Sequence, residues 1–421
     1  MPEPARVFEH GILEVGKHGL TAKHFDALVR YNDRHGRTLF KVGHQRLHFG
    51  SFVGVLQVGT LTIEILPKAE KGSSADKGKW QRALLQMLRQ SGLIEVQAGP
   101  EANLNLRRSP LIDLYLDSFL SEVERLTHTG LVKKYRLTEG NLHKLKGRIL
   151  FRQQISRNLF HQERMFTAHQ TYDSDNVFNR ILKCALEIVG RLAVGSSITA
   201  RAAALALSFE QVSNAKITAA TFERLSYSRN TQRYRKAVQL ARLIILNYSP
   251  DLSGGSENVL AILFDMNVLF ERFILVHLRR AQSKSEDRTI KIQAQASRRF
   301  WASKSIRPDV VIDIHSQSKK ERLVVDTKWK IPKGDQPSDE DLKQMFAYNL
   351  HFGACDSFLV YPRADAVQKD SRNAYEQSEA LSQGHRHTCA THFVDLFDSD
   401  QKLRSDIGTS LLDFIRSKST R

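Results

Sequence analysis

Between residues 307 and 330 the chain reads RPDVVIDIHSQSKKERLVVDTKWK. Asp309 opens one β-branched run, and Asp326-Thr327-Lys328 closes a second. Runs of this kind predict two strands, 306–314 and 321–329, joined by the polar segment HSQSKK. A regular hairpin centred between Gln317 and Ser318 sets Asp309 directly across from Asp326. Opposed side chains have Cβ atoms about 5 Å apart, so two carboxylates there repel unless a cation or a proton lies between them. Lys328 is two residues beyond Asp326 and emerges on the same face. Pro308 suits the first position of a strand, where no ladder donor is needed. Val310, Ile312, Ile314, Leu323, Val325 and Thr327 fall on the other face. Asp313 shares the acidic face, farther toward the loop, and is expected to be solvated.

Two acids and one ammonium on a single patch suit a hard divalent cation. Mg²⁺ takes one or two carboxylates and completes its shell with water and phosphate oxygens. Held by Asp309 and Asp326, it would polarise a phosphoryl oxygen and lower the pKa of a water. Lys328 would orient that water and stabilise charge on phosphorus. The chemistry expected is phosphodiester hydrolysis.

The elements around this stretch divide the chain. Residues 1 to about 70 alternate apolar and polar positions with glycines at turns, and read as mostly β with one helix near 21–32. Helical spacing follows in WQRALLQMLRQSG and PLIDLYLDSFLSEVERLTHTG. LVKKYRLTEGNLHKLKGRILF reads as two strands around Glu139-Gly140-Asn141. Long helical patterns cover 176–194, 198–213 and 217–247. NYSPDLSGGSE, 247–257, is the clearest linker and sets the expected boundary between regions 1–250 and 251–421. The second region reads helix (258–281), strands (288–296, 306–314, 321–329), helix (338–352), strands (357–362, 391–397) and helix (401–417). The fold class expected is α+β: a β-rich and helical N-terminal half, then an α/β domain with a mixed sheet flanked by helices.

Composition narrows the partners. The 421 residues carry a net charge of +18, which points to a polyanion, with nucleic acid leading. Residues 131–165 hold nine Lys/Arg against two Glu. Lys133, Lys134, Arg136, Lys146 and Arg148 are the candidates there for DNA or partner contact. No apolar run approaches the ~18 residues of a membrane span, and MPEPARVFEH has no apolar signal core. Three scattered cysteines, Cys184, Cys355 and Cys389, form no disulfide framework and fit a cytoplasmic setting.

Pro308-Asp309, a turn and then Asp326-Thr327-Lys328 resemble the PD-(D/E)xK nuclease superfamily, with Asp at the third position as a permitted variant. The resemblance implies an acid on the helix before the sheet, matched by Glu271 in FDMNVLFERF, as a further metal ligand. It also implies a glutamine on the helix after the lysine strand, matched by Gln344 in QMFAYN. More narrowly, VGVLQVGTLTIEILPK, YRLTEGNLHKLKGRI through YDSDNVFNRILKCAL, FDMNVLFERF, RPDVVI with VVDTKWK, and QMFAYN resemble the McrC family of nuclease subunits in McrBC type IV restriction systems. That implies docking on an McrB-like AAA+ GTPase ring, stimulation of its GTPase, and Mg²⁺-dependent cutting of double-stranded, methylcytosine-containing DNA. GTP would be bound by the partner. The inserted piece would be the N-terminal half, largely its β part.

Three other patterns carry less. GSSADKGKW is spaced one residue too wide for a phosphate loop and has Trp80 where a Mg²⁺-binding hydroxyl should stand. His385, His387, Cys389 and His392 crowd together but match no standard zinc spacing, so an incidental role is expected. Asp173 and Asp175 precede a helix and read as N-caps. Two other functions remain open: a nuclease of this fold in DNA repair or RNA processing, and a non-catalytic activator of an AAA+ protein.

Overall fold

The computed structural model describes residues 4–36, 38–69, 76–93, 111–192, 196–250, 257–284, 289–315, 320–364, 367–376 and 386–419. The linker segment 251–256, the hairpin turn 316–319 and His385 lie outside these residues. The first part runs β1 (Ala5–Phe8), β2 (Ile12–Glu14), α1 (Ala22–Arg34), β3 (Phe40–Gly43), β4 (Arg46–Phe49), β5 (Phe52–Val58), β6 (Leu61–Leu66), α2 (Lys77–Gln90) and α3 (Leu111–His128). Then come β7 (Lys134–Leu142), β8 (Arg148–Ile149), α4 (Phe151–Asn158), β9 (Met165–Asp173), α5 (Val177–Arg191), α6 (Ser196–Leu207), α7 (Ala219–Glu223) and α8 (Arg235–Leu246). The remainder is β10 (Tyr248–Ser249), β11 (Val259–Asp265), α9 (Met266–Lys284), β12 (Ile290–Ala294), β13 (Arg298–Trp301), β14 (Lys304–Ile306), β15 (Val310–His315) and β16 (Lys320–Thr327). It closes with α10 (Asp339–Phe352), β17 (Asp356–Pro362), β18 (Ser371–Ala374), β19 (Thr388–Val394) and α11 (Ile407–Ser419). The architecture is α+β, and no helix among the described residues is long and apolar enough to cross a membrane.

The N-terminal sheet has the order β1-β6-β5-β11-β10. Period-2 alternation splits its side chains between two cores. Leu56, Val58, Ile63 and Ile65 pack with Leu28 and Tyr31 of α1 and with Leu47 of the small β2-β4-β3 sheet. Val53, Val55, Leu260 and Ile262 face α2, α3 and α9 in the large central core. Gly54, at φ +135°, lets β5 and β11 approach, since a Cβ there would lie 2.2 Å from the Ile262 carbonyl oxygen.

The C-terminal sheet is mixed, with the order β12-β15-β16-β17-β19-β18. β12, β15 and β16 are antiparallel neighbours, while β16-β17 and β17-β19 are parallel. β17, DSFLVYP, is buried at every position, as a central parallel strand covered on both faces must be. On one face Val310, Ile312, Leu323 and Val325 meet Phe270 and Phe273 of α9 and Leu411 of α11. On the other, Val311, Val324 and Leu359 meet Met345, Tyr348 and Phe352 of α10. Ser338 and Asp341 close a capping box on α10, and Gly353 in the left-handed region ends it.

Several expected elements differ. The apolar run 259–265, read as the start of a helix, is a strand paired with β5. A short apolar run suits either element, and the available partner decides. β10 and β11 stand on either side of residue 250, yet both complete the N-terminal sheet. Glu139-Gly140-Asn141 is no turn; it lies within β7, which pairs along its whole length with the unexpected strand β9. The pattern 217–247 breaks into α7, an irregular stretch and α8. Asp173 and Asp175 do not cap α5. Asn176 does, accepting from the Phe178 and Asn179 amides, while Asp173 pairs with Arg136 and Asp175 with Arg180.

Candidate active site

β15 and β16 pair with Val310 across from Val325 and Ile312 across from Leu323. Continuing that register by one residue brings Asp309 opposite Asp326, as the alternation predicts. Asp309 Oδ2 accepts from the Thr327 amide and hydroxyl, both at 2.7 Å. These bonds hold the carboxylate across the end of β16. Asp326 is buried, with Oδ2 2.8 Å from Lys328 Nζ. Lys328 Nζ also donates to Gln344 Oε1 at 2.8 Å, which brings the helix glutamine into the group.

The electrostatics follow from this crowding. Burial pushes Asp326 up to about 6, and the charge of Asp309 adds to it, while the Lys328 ammonium opposes. Asp309 is raised as well, by burial and by the charge of Glu271, against the Thr327 bonds. Burial alone would lower Lys328, but Asp326, Asp341 and Asp309 together hold its pKa above the ordinary value.

Glu271 reaches the site from α9. Its Oε1 accepts from Gln295 Nε2 at 2.8 Å, and the Gln295 amide donates to the Asp309 carbonyl at 2.8 Å. Gln295 therefore ties the α9 acid to the Asp309 strand. All five expected residues, Asp309, Asp326, Lys328, Glu271 and Gln344, meet in this network.

Four further residues take part, none of them among the residues expected from the sequence. Tyr348 accepts from Gln344 Nε2 at 2.7 Å and donates to the Arg307 carbonyl at 3.1 Å, fixing the glutamine. Asp341 sits 3.8 Å from Lys328 Nζ and pairs with Lys330 at 2.6 Å. Its capping-box position three residues after Ser338 was visible in the sequence; its reach to the site was not. Gln295 had no local signal. Trp329, buried beside Lys328, donates Nε1 to Glu9 Oε1 at 2.7 Å.

Asp313 corrects the expectation of a solvated side chain. It is buried and bound by Arg322 Nε at 2.6 Å and Nη2 at 3.2 Å. Arg322 is its cross-strand partner, so the charge is neutralised locally. The histidine cluster is divided by the pleat. His387 contacts the Ala354 carbonyl on the α10 side, while His392 pairs with Asp370 and stacks on Phe414 of α11.

The basic candidates occupy another sheet, β7-β9-β8. Arg136 is engaged by Asp173, and Lys134 lies over the Phe178 ring at 4.5 Å. Lys133, Lys146 and Arg148 are exposed. None of the five contributes to the carboxylate network.

Among the described residues no three His, Cys, Asp or Glu side chains form a ready cage for a metal. A site for Mg²⁺ needs fewer, because water and phosphate fill the remaining positions. Two adjacent carboxylates, each raised by the other's presence or by a third acid, are an all-oxygen donor set that a cation would relieve. The residues fit such an ion.

Comparison with known proteins agrees on architecture. A chain of the Thermococcus gammatolerans assembly of McrB AAA+ hexamers with bound McrC aligns over 98% of this chain and 100% of its own, with TM-score 0.67 and 19% identity. A chain of the Thermococcus gammatolerans McrBC complex aligns over 66% and 88%, with TM-score 0.50 and 21% identity. The fold is thus one found in McrBC assemblies. Residues 47–362 match the family described as McrBC 5-methylcytosine restriction system component, and the chain belongs to that family. The Type IV methyl-directed restriction enzyme EcoKMcrBC of Escherichia coli (strain K12) is 23% identical over 211 residues, 49% of this chain and 61% of the relative, so less than two thirds of that protein's length is matched.

Proposed function

We propose that this chain is the Mg²⁺-dependent DNA endonuclease subunit of a GTP-driven, modification-dependent restriction complex. The observation that carries this reading is the joining of Asp309, Asp326 and Lys328 with Gln344 and Glu271 at one end of β15 and β16. Asp309 and Asp326 would hold the ion, with Glu271 as a further ligand. The ion would supply Lewis-acid polarisation of a phosphoryl oxygen and a more acidic water. Lys328 is held by Asp326 and Gln344, and its ammonium, kept charged by its acidic neighbours, lies against the Asp326 carboxylate. There it orients a nucleophilic water and stabilises charge that builds on the phosphoryl oxygens. Gln344 limits the rotamers of Lys328, and Tyr348 limits those of Gln344.

The partner would be an McrB-like AAA+ ring that binds GTP and whose hydrolysis this chain stimulates. The β7-β9-β8 sheet with α4 suits such a role. It exposes Tyr135, Leu137, Phe151 and Phe160, the last 90% exposed, beside Lys133, Lys146 and Arg148. Apolar side chains left in water at this density mark a surface that another molecule covers. The substrate would be double-stranded DNA carrying methylcytosine, read by the partner.

The test is cleavage of methylated plasmid with Mg²⁺ and GTP, comparing the chain alone, the chain with its motor, and the Asp326→Ala chain with the motor. Cutting by the intact pair alone supports the reading. Cutting by the Asp326→Ala mixture would place the scissors elsewhere and leave this chain an activator.

A further inference from the structure

The chain leaves the C-terminal sheet between β12 and β15 to build a separate two-stranded hairpin, β13-β14. Both stems start at the candidate site. One follows Gln295, which holds Glu271; the other ends in Arg307-Pro308-Asp309, with the Arg307 carbonyl bound by Tyr348. Residues 297–307, SRRFWASKSIR, contain four basic residues and no acid. Every residue of β13 is exposed.

One side of the hairpin is anchored. Arg298 donates to the His351 carbonyl and lies 5.0 Å over the Phe352 ring, and Phe300 meets the His351 ring at 5.2 Å. These contacts fix the hairpin on the end of α10, the helix that carries Gln344. A bulge between Arg299 and Trp301 leaves Trp301 paired with Lys304 at the tip, with Ala302 at φ +46° in the turn. Trp301 is 70% exposed. Between hairpin and α10 lies a cleft of ≈ 690 Å³ lined by Gln295, Arg307, Gln344 and Tyr348 among others. A ribbon anchored on α10 therefore carries an exposed indole and basic side chains, and its stems adjoin the site where a phosphodiester would be cut.

We propose that the β13–β14 hairpin grips duplex DNA next to the scissile phosphate, Arg299 and Lys304 on flanking phosphates and the Trp301 indole against a base step. The inference rests on the nuclease reading above. Charge selects the occupant: an all-basic ribbon complements a polyanion, and phosphate contacts fix the register of a duplex. Apolar side chains pressed into a base step unstack and bend it, which would expose the backbone to the carboxylates.

The test uses the full chain and a fluorescein-labelled duplex, with divalent metal chelated so that binding is separated from cutting. The chain has three tryptophans; Trp80 and Trp329 are 1% and 8% exposed, so acrylamide and DNA quenching report chiefly on Trp301. Duplex binding is expected to shield tryptophan from acrylamide, and the shielding should vanish in Trp301→Phe. Trp301→Ala should weaken binding about tenfold, in the range of one lost base–aromatic stack. Arg299→Ala with Lys304→Ala should reduce the slope of log K against log salt by about 2. Thermal melts of each variant check folding, and Trp301→Phe keeps the ring volume if Trp301→Ala unfolds. No binding at low salt, binding without shielding, or an unchanged salt slope would overturn the proposal. So would shielding by the AAA+ partner but not by DNA. If Asp326→Ala still cuts while DNA shields Trp301, the nuclease reading fails and the hairpin is left as a DNA contact away from any cutting site; the reverse pattern removes the hairpin alone.

Discussion

Glu9 offers a quantitative test of how the two ends of the chain are joined. It directly follows β1, is 5% exposed, and accepts from Trp329 Nε1 at 2.7 Å and from the Lys68 amide at 2.9 Å. Burial raises its pKa from 4.5 to about 7, the two hydrogen bonds pull it down, and Asp265 pushes it up further. Between those values the folded chain binds a proton that the unfolded chain has released. Stability from this group is therefore complete below pH 4.5 and falls as pH rises toward 7, then levels. At about 1.4 kcal/mol per unit the loss is about 3 kcal/mol. Glu9→Gln keeps an acceptor for Trp329 and Lys68 and cannot ionise. Its amide occupies the place of Oε2, which has no hydrogen-bond partner among the described residues, so the variant should be weaker below pH 5 by about 1–3 kcal/mol. The difference between urea-unfolding free energies of variant and wild type, measured from pH 5 to 8, should swing toward the variant by roughly the ionisation cost. Parallel curves would refute the reasoning and mean that Glu9 titrates in the folded chain as it does in the unfolded one.

Other outcomes follow from single contacts. Lys328→Ala should abolish cleavage while leaving partner GTPase stimulation unchanged, read by phosphate release in the same mixtures. Tyr348→Phe removes the hydroxyl between Gln344 and Arg307 and should lower the cleavage rate several-fold, with about 1 kcal/mol lost from urea stability. Arg322→Ala strands the buried Asp313 carboxylate and should cost about 3 kcal/mol, seen as a fall in the urea midpoint at pH 7. Gly54→Ala forces a Cβ against the Ile262 carbonyl at positive φ and should destabilise by more than about 1 kcal/mol in the same assay.

Much of the candidate site was legible because strand registry is arithmetic. Once two β-branched runs are paired about one turn, Asp309 and Asp326 face each other and Lys328 shares their side. The same registry sets Arg322 across from Asp313, so the neutralising partner of that acid is legible in it as well. What stayed hidden depends on tertiary covering. Asp313 lies under α10, and nothing local states which face a helix will take. β7 hid because its central Thr-Glu-Gly-Asn has turn composition, and its partner β9 begins only after a further strand and helix. The run VLAILFD could be helix or strand until β5 offered an edge beside Gly54. Glu9 and Trp329 are 320 residues apart, beyond any local signal.

That last contact bears on how the halves work together. Trp329 follows the site lysine and packs edge-on to Trp80 of α2 at 6.2 Å and Phe270 of α9 at 5.2 Å. Its indole nitrogen is held by Glu9, the residue just past the first strand of the N-terminal sheet. β11 joins that sheet and runs straight into α9, which carries Glu271. The N-terminal sheet thus positions Lys328 from one side through Trp329 and Glu271 from the other through β11. A displacement of that sheet, such as docking on a ring would exert, has two short routes to the carboxylates. Trp329→Phe keeps most of the ring packing and deletes only the bond to Glu9. If those routes matter, this variant should cut more slowly with its motor while its GTPase stimulation is retained. Equal rates for variant and wild type would make the Glu9 bond a matter of stability alone.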